Sequence, residues 1–351
     1  MRSAPELEPL VDPKSLGSYL GTRFPELARE SPAVERHMAG HSNETFFVRF
    51  GDREWVLRRP PRGAFLPTAH DVGREYRVLS ALAPTNVRAP RPVLFCQDSS
   101  IIGAPFYLME RIEGSVIRDA LPEPFASDES TRRGLGDELV DALVELHAVD
   151  SRAAGLEGFG KPSGYLERQV RRWSGQLELT EPLTRTIPEL HAVTAWLRDR
   201  VHQLPEGEPT IVHGDYKMDN VMYAPGAPAR LVAILDWEMS TIGDPLADLG
   251  WMVSFWREAD DAVAIDLEGK APTRLPGFQR RDDLVARYEE RSGRVVGDLT
   301  FHMVLAVWKL AILLEGSYAR HLAGLTDDRF FAQMETGVPL LAQRALALTA
   351  E

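Results

Sequence analysis

Three oxygen-bearing side chains follow apolar segments in the second half of the chain. Asp215 and Asn220 come after the apolar pair at 211–212, and Asp236 follows the apolar run 231–235. If the two segments are neighbouring strands, all three side chains emerge at the same end of a sheet. Carboxylate and amide oxygens that converge on one point suit a hard cation such as Mg²⁺, with a phosphate as a further ligand.

The same residues also fit an ordinary turn. Gly214, Asp215, Asp219 and Asn220 are all turn-forming types, and an aspartate after a strand often caps a helix. Taken alone, this motif leaves both interpretations open, since short motifs occur by chance.

A polar turn in the first part of the chain could contact phosphate. Residues 40–45 read GHSNET and lie between two strand-like segments. The backbone N–H groups and side chains of Ser42, Asn43 and Thr45 could meet phosphate oxygens there. The turn lacks a Gly-x-Gly-x-x-Gly pattern, so a plain hairpin loop is an equal alternative.

The strand after this turn carries a cation. Val56 and Arg58 share one face of it and Leu57 lies on the other, which suits a nucleotide ring on Val56 and phosphates on Arg58. Glu75 follows 17 residues later, on a helix from which it could pair with Arg58 and fix its direction. The alternative is a surface ion pair of little energetic weight.

The elements that must position these residues change character along the chain. Asp12 followed by Pro13 predicts a helix N-cap and first turn. The first part is predicted to contain a helix over 12–27, two strands within 46–61 joined at Gly51-Asp52, a helix over 68–82 and a strand over 106–114. The second part is predicted to contain helices over 131–149, 163–177 and 188–203, a β segment over 210–237, and further helices from 245 onward.

This order predicts an α+β fold with two lobes and a cleft between them. We place a small β-rich lobe at 1–110 and a larger, mainly helical lobe at 111–351.

Composition excludes several other classes of function. The formal charge of −12 disfavours nucleic acid as a partner. The single cysteine, Cys96, allows no internal disulfide, and no Cys/His spacing suggests zinc. The N-terminal residues lack the apolar core of a signal peptide. The longest apolar stretch, 303–314, has 12 residues and contains Lys309, which predicts a buried helix and no membrane span. We therefore expect a cytoplasmic protein; its oligomeric state cannot be read from the sequence.

The order of these motifs resembles the protein-kinase fold, and more closely its aminoglycoside phosphotransferase and choline kinase branch. HGDYKMDN matches that family's His-Gly-Asp-x₄-Asn catalytic loop, ILDWE stands in place of Asp-Phe-Gly, and GDPLADLGW matches the following Asp-Pro-x-x-Asp-Leu segment. GHSNETF, VLRRPP and REYRVL are similar to the kinase-like domain associated with acyl-CoA dehydrogenases. The resemblance covers nearly the whole chain.

The resemblance implies ATP and Mg²⁺ as cofactors, a nucleotide-binding lobe with its hinge at 1–110, and a lobe for catalysis and acceptor binding at 111–351. It also gives each predicted site residue a role. Asp215 would accept or orient the proton of the acceptor hydroxyl, and Asn220 and Asp236 would hold Mg²⁺. Arg58 would contact the α- and β-phosphates. The backbone from Glu110 to Ile112 would hydrogen-bond the adenine edge.

Four further residues receive supporting roles. His213 is expected to pack under the catalytic loop and hydrogen-bond its backbone. The alternative is that His213 acts as a general base. Asp248 is expected to brace the loop backbone, and Asp244 to begin a helix. If the strand continues, the side chain of Glu238 points in the same direction as that of Asp236. For Glu238 we favour a contact with solvent over a contact with a second metal ion.

The chain departs from the general kinase pattern in two ways. Arg58 stands where kinases usually have lysine, although arginine also occurs in this branch, and the phosphate loop has a single glycine before its polar residues. Both departures leave the choice of nucleotide open.

The acceptor is a small-molecule hydroxyl of unidentified class. An acidic run (Glu258, Asp260, Asp261) would suit an aminoglycoside, and an aromatic stripe (Trp251, Phe255, Trp256) would suit a choline-type cation. A basic helical face (Arg168, Arg171, Arg172) would suit an anionic hydroxyacid or hydroxyacyl-CoA. Each set also has a plain explanation, as a solvated face or as core.

The sequence thus predicts an ATP- and Mg²⁺-dependent phosphotransferase. The alternatives are a catalytically silent nucleotide-binding protein of the same fold and, with less support, a metal-dependent phosphatase.

Overall fold

The computed structural model describes residues 10–37, 43–61, 71–261, 271–326 and 329–350. Two compact units divide the chain, Met1–Glu113 and Gly114–Glu351. The first is built on an antiparallel sheet, and the second is mainly helical, as the predicted α+β class requires.

The first unit contains one five-stranded antiparallel sheet. Its strand order is β1-β2-β3-β5-β4. The strands are β1 (Ala33–His37), β2 (Glu44–Phe50), β3 (Arg53–Arg59), β4 (Pro92–Cys96) and β5 (Phe106–Glu110), and the helices are α1 (Pro13–Arg23) and α2 (Val72–Leu82).

Strand alternation in β3 separates the core of this unit from the face that carries Val56 and Arg58. Leu57 is fully buried within the apolar core cluster, together with Trp55. Val56 and Arg58 point to the opposite face, because successive side chains of a strand alternate. The predicted division between Leu57 and the pair Val56 and Arg58 is therefore confirmed.

Local capping fixes the two helices of the first unit. The Asp12 side chain accepts hydrogen bonds from the N–H groups of Lys14 and Ser15 at the start of α1, which confirms the predicted cap. Asp71 caps α2 in the same way. Glu75 lies in the first turn of α2.

The second unit combines seven helices with two small sheets within its described residues. The helices are α3 (Arg133–His147), α4 (Tyr165–Thr180), α5 (Pro188–Arg200), α6 (Pro245–Phe255), α7 (Arg281–Ser292), α8 (Thr300–Leu322) and α9 (Met334–Leu348). The strands are β6 (Ser115–Val116), β7 (Thr210–Val212), β8 (Val221–Tyr223), β9 (Leu231–Ile234) and β10 (Thr241–Gly243). They pair in the orders β6-β8-β9 and β10-β7.

Helix α8 lies at the centre of the second unit's core. Val304, Val307, Trp308 and Ile312 are fully buried along it and belong to one large apolar cluster. By length and composition alone α8 could cross a membrane, but 72% of its most apolar stretch is buried within the structure. This burial confirms the buried helix predicted around Lys309.

Candidate active site

Asp215 and Asn220 are joined directly within one loop. Asp215 follows β7, and Asn220 ends a single 3₁₀ turn, Met218–Asn220, ahead of β8. The Nδ2 of Asn220 donates to the Asp215 carbonyl oxygen at 2.8 Å and to its Oδ2 at 2.7 Å. Because the amide nitrogen is held on Asp215, the amide oxygen of Asn220 is the atom that it can present to a cation.

Asp236 reaches the same loop by a route that differs from the predicted one. The strands before Asp215 and Asp236 are not neighbours, because β7 pairs with β10 and β9 pairs with β8. The link is instead made where β8 pairs with β9: Val221 pairs with Ile234, and next to them the N–H of Leu235 donates to the carbonyl oxygen of Asn220 at 2.7 Å. The expectation that the strands would be adjacent was wrong, although the residues still come together.

His213 is hydrogen-bonded both to the Asp215 loop and to the segment before Asp236. Its Nε2 lies 2.8 Å from the Leu235 carbonyl oxygen, and its Nδ1 accepts from the N–H of Asp215 at 3.2 Å. A carbonyl oxygen only accepts, so Nε2 carries the proton. The ring is fully buried with both nitrogens engaged, which agrees with the holding role and leaves no nitrogen to act as a base.

The backbone at Asp236 takes a turn that few side chains adopt. Its φ is 63°, the only positive value among the non-glycine residues that the structure describes. Aspartate tolerates this left-handed conformation better than most residues do. The turn ends β9, and a 3₁₀ turn, Trp237–Met239, follows. The strand therefore does not continue to Glu238, and the expectation that Glu238 points with Asp236 loses its basis.

The electrostatics of the loop favour a bound cation. Burial raises the pKa of Asp215 above its ordinary value, and repulsion from Asp236 adds to the rise, whereas Lys217 opposes it. A divalent ion would relieve the repulsion between the two carboxylates. The donor set, the Asp236 carboxylate and the amide oxygen of Asn220, fits a hard ion such as Mg²⁺ with phosphate oxygens as further ligands.

Asp248, on α6, fixes the path of the loop. Its two carboxylate oxygens accept from the N–H of His213 at 2.6 Å and from the N–H of Gly214 at 2.8 Å. Burial opposes the charge, but the hydrogen bonds and the nearby His147 and His213 outweigh it and hold the pKa of Asp248 below its ordinary value. The predicted brace is confirmed.

Two partners of this brace carried no signal in the sequence. His147 Nε2 lies 3.3 Å from Asp248 Oδ2, and its Nδ1 lies 2.7 Å from the hydroxyl of Tyr288. A lone histidine at the end of a helix and a tyrosine in another helix give no local pattern. Asp244, by contrast, caps α6 by accepting from the N–H of Leu246, as predicted.

In the first unit, Glu75 gathers three donors. Arg58 Nε lies 3.0 Å from Glu75 Oε2, the Tyr107 hydroxyl donates to the same oxygen at 2.7 Å, and Asn43 Nδ2 donates to Oε1. Glu75 is only 1% exposed. The Arg58–Glu75 pair is therefore a buried ion pair and not a loose surface pair. Tyr107 is a further hydrogen-bond donor to Glu75 that the sequence did not reveal.

The predicted phosphate-loop residues are placed only in part. Ser42 lies outside the described residues. Thr45 is the direct cross-strand partner of Arg58, and Asn43 is tied to Glu75. Their contact with phosphate stays a prediction.

The predicted adenine contacts are more restricted than expected. The N–H of Glu110 donates to the carbonyl oxygen of Arg91 at 2.9 Å, so an adenine edge must use another backbone group here. Ile112 lies beyond β5 and is partly exposed. Val56 is buried beside Met109 in the register of β3 and β5.

Two of the three acceptor cues have structural explanations. The acidic run is paired with cations: Arg280 contacts Glu258 at 2.7 Å and Arg281 contacts Asp261. In the aromatic stripe, Trp251 and Trp256 are 3% and 2% exposed and are core residues.

The basic face remains available to a ligand. It lines a cavity of about 370 Å³ at α4, whose walls are Lys161, Tyr165, Arg168, Gln169, Arg171, Arg172 and Thr241. Arg168 also donates to the backbone carbonyl oxygens of Lys161 and Ser163, which holds it in the wall. Four cationic side chains around one cavity favour an anionic ligand.

Comparison with known families agrees with this geometry. Residues 33–284 match the profile of the phosphotransferase enzyme family. The chain belongs to this family. The profile match and the relatives of 33–34% identity confirm the predicted resemblance to aminoglycoside phosphotransferases and to the kinase-like region of acyl-CoA dehydrogenase family members.

Among curated proteins, the chain is similar to acyl-CoA dehydrogenase family member 11 of Gallus gallus. The two are 33% identical over 333 residues, which cover 93% of this chain and 41% of that protein. Family member 10 of Mus musculus is 34% identical over 81% of this chain and 26% of its own length. The chain thus spans less than half the length of these relatives.

Among solved structures, the chain resembles a Ralstonia eutropha protein provisionally named an aminoglycoside phosphotransferase. That match has a TM-score of 0.78 and 30% identity, and it covers 97% of this chain and 98% of the other. The aminoglycoside phosphotransferase APH(4)-Ia, in a ternary complex with AMP-PNP and hygromycin B, matches with a TM-score of 0.61 at 13% identity, covering 95% of this chain and 98% of that one. This second likeness shows the shared fold.

Proposed function

We propose that the chain is a small-molecule kinase that transfers the γ-phosphoryl group of ATP to a hydroxyl group in an Mg²⁺-dependent reaction. The observation that carries the proposal is the anchoring of Asn220 on Asp215, in a loop tied by its backbone to the residue before Asp236. This arrangement supplies a proton acceptor and metal ligands in one place, which phosphoryl transfer requires. A solved structure of the same fold contains the ATP analogue AMP-PNP, which supports the choice of an adenine nucleotide.

The proposed roles follow from the contacts. Asp215 orients the acceptor hydroxyl and takes its proton, and the Asn220 amide sets the direction of the Asp215 carboxylate. Asn220 and Asp236 would hold Mg²⁺, which when bound neutralises charge on the phosphates. Arg58, fixed by Glu75, contacts the phosphates of the nucleotide.

The test is ADP release from Mg-ATP, first alone and then with a panel of aminoglycosides, amino alcohols and hydroxyacyl-CoAs. We expect slow release alone and faster release with one class of acceptor. Asp215→Asn should reduce turnover by about 10² or more, the range of an acid–base group, and leave ATP binding nearly intact. Asp219→Asn is the matched control, since Asp219 lies in the same loop but is paired with Lys217.

The rival function is a silent nucleotide-binding protein. It predicts tight ATP binding with no ADP release above the rate of Asp215→Asn for any acceptor. Near-normal turnover in Asp215→Asn would instead remove Asp215 from the mechanism.

A second candidate concerns the acceptor, for which the basic cavity favours an anionic molecule. The cavity is lined by Arg168, Arg171, Arg172 and Lys161 and also by Thr241, five residues beyond Asp236 in the chain. The names of the relatives make a hydroxyacyl-CoA the first acceptor to test, with a simple hydroxyacid as the smaller alternative. An aminoglycoside, which is a polycation, has less support, because the acidic run is already paired with arginines.

Charge reversal tests this candidate. Arg171→Glu with Arg172→Glu should raise the KM of an anionic acceptor strongly and leave that of ATP nearly unchanged. The effect should shrink with added salt, because exposed charges are screened over ~8 Å at physiological ionic strength. Arg198→Glu with Arg200→Glu, which reverses two exposed charges on α5, is the control. If the KM of no acceptor moves, the arginines are only a solvated face and the acceptor binds elsewhere.

A further inference from the structure

Lys309 is a buried cation in contact with the loop that carries Asp215. It lies on α8, is 7% exposed, and donates from Nζ to the carbonyl oxygen of Gly214 at 2.8 Å. None of the described carboxylates lies within ion-pairing distance of this ammonium group. Its one hydrogen-bond acceptor among the described residues is therefore the backbone immediately before Asp215.

Placing an ammonium group here is costly. The pKa of Lys309 is lowered to about 8, mainly by burial and in smaller part by Arg172, although Asp215 and Asp248 favour the charge. The rings of Trp251 and Trp173, with centroids 4.6 and 5.8 Å from Nζ, offset part of the cost. An apolar side chain of similar length would fill the same space without this desolvation. Packing alone does not explain the charge.

The geometry around Gly214 indicates what the charge does. The N–H of Gly214 donates to Asp248 at 2.8 Å, and its carbonyl oxygen accepts from Lys309, so charged groups hold the residue on both sides. Its φ is 87°, and a Cβ at this position would lie 2.7 Å from the Met239 carbonyl oxygen. Only glycine fits such a position, and glycine by itself does not hold one conformation.

The carbonyl that Lys309 holds belongs to the peptide plane of Asp215. The N–H at the other end of that plane donates to His213 Nδ1. With both ends bonded, the plane cannot rotate, and the direction of the Asp215 side chain is set by it together with the Asn220 amide.

We propose that Lys309 is a positioning residue for Asp215: by holding the Gly214 carbonyl it fixes the peptide plane from which the Asp215 carboxylate reaches the acceptor hydroxyl. The proposal rests on the proposed kinase function, and it adds a residue on α8, about 90 positions further along the chain, to the machinery of the loop.

The test compares Lys309→Met with Ile312→Val, a control that removes one methyl group from a fully buried side chain of the same helix. ADP release from Mg-ATP gives kcat and KM, and calorimetry gives the Kd of ATP. We expect Lys309→Met to lower kcat about 10- to 100-fold, the scale of a misplacement near 1 Å, while KM and Kd change less than about threefold. The control should keep kcat and Kd near their wild-type values.

A double-mutant cycle shows whether Lys309 acts through Asp215. If it does, adding Lys309→Met to Asp215→Asn lowers the residual rate by less than about threefold, because residues that act as a unit are not additive. Full multiplication of the two losses would overturn the proposal.

The other outcomes are also decisive. If wild-type protein releases ADP and Lys309→Met matches it, the positioning role is wrong while the kinase function stands. If Lys309→Met loses nucleotide affinity and thermal stability together with kcat, Lys309 is a structural residue only. If wild-type protein releases no ADP with any acceptor, the kinase function fails and the positioning role fails with it.

Discussion

Glu75 and Asp248 are buried carboxylates that organise the two units in different ways. Glu75 accepts hydrogen bonds from the side chains of Asn43, Arg58 and Tyr107. Asp248 accepts from backbone N–H groups, those of His213 and Gly214, and contacts His147. The first carboxylate directs a cation, and the second fixes the course of a loop.

This difference predicts different consequences of mutation. A side-chain network such as that of Glu75 can lose one donor while the sheet beneath it stays intact. A carboxylate that accepts from backbone N–H groups cannot be lost without disturbing the fold, because its loss leaves buried peptide groups without hydrogen-bond partners. We therefore expect Asp248 to control stability and Glu75 to control nucleotide affinity.

The largest effect should come from Asp248→Asn. The new amide nitrogen would face a backbone N–H, so one buried donor loses its acceptor, and the charge that His147 faces disappears. We expect the free energy of unfolding to fall by about 3 kcal/mol. Unfolding by urea can be followed by tryptophan fluorescence, since six of the seven tryptophans lie in the second unit. Asp199→Asn, at an exposed position, should change little; equal stability of the two variants would refute the brace.

The stability difference between wild type and Asp248→Asn should depend on pH. The pKa of Asp248 is depressed in the folded protein, so its stabilising effect is complete above the unfolded value of about 4 and is lost as pH falls through the folded value. The stability gap between wild type and Asp248→Asn should therefore narrow below about pH 4. A gap that stayed constant down to pH 2 would mean that the charge of Asp248 does not contribute.

A smaller effect, of another kind, is expected from Glu75→Gln. Arg58 would lose its charged partner and its fixed direction, so we expect ATP affinity to fall about tenfold, in the range of charge-assisted hydrogen bonds. Calorimetry measures this change. Glu54→Gln is the control, since Glu54 forms an exposed ion pair with Arg111. Unchanged affinity in Glu75→Gln would separate Arg58 from nucleotide binding.

The smallest effect should come from Tyr107→Phe. It removes one neutral donor to Glu75 and keeps the Arg58 contact, so about 1 kcal/mol is expected, or less than about tenfold in ATP affinity. A loss of ATP affinity as large as that in Glu75→Gln would show that the orientation of the Glu75 carboxylate depends on Tyr107 and not on Arg58.

Local signals explain what the sequence could predict. The caps at Asp12 and Asp244, the turn at Gly51-Asp52 and the alternation in β3 depend on neighbours in the chain, and the structure contains all of them. The Asp215 loop was also predictable, because Asn220 lies five residues from its partner.

Long-range pairing explains what the sequence could not predict. β10 has three residues and no periodic pattern, and its pairing with β7 depends on packing between segments about 30 residues apart. Tyr107 and His147 bond to carboxylates 32 and 101 residues away. No local spacing marks such contacts, so Tyr107 and His147 were missed, whereas the Arg58–Glu75 pair and the residues of the motif were found.

The most direct test of the metal-dependent nucleotide site is calorimetry of ATP binding to wild type, Asp236→Ala and the loop control Asp219→Ala, each with and without Mg²⁺. We predict that Mg²⁺ tightens ATP binding in wild type and in Asp219→Ala, and that the tightening disappears in Asp236→Ala while weaker, metal-independent binding remains. If Mg²⁺ tightens binding equally in all three proteins, the metal site does not include Asp236 and the account of this loop is wrong.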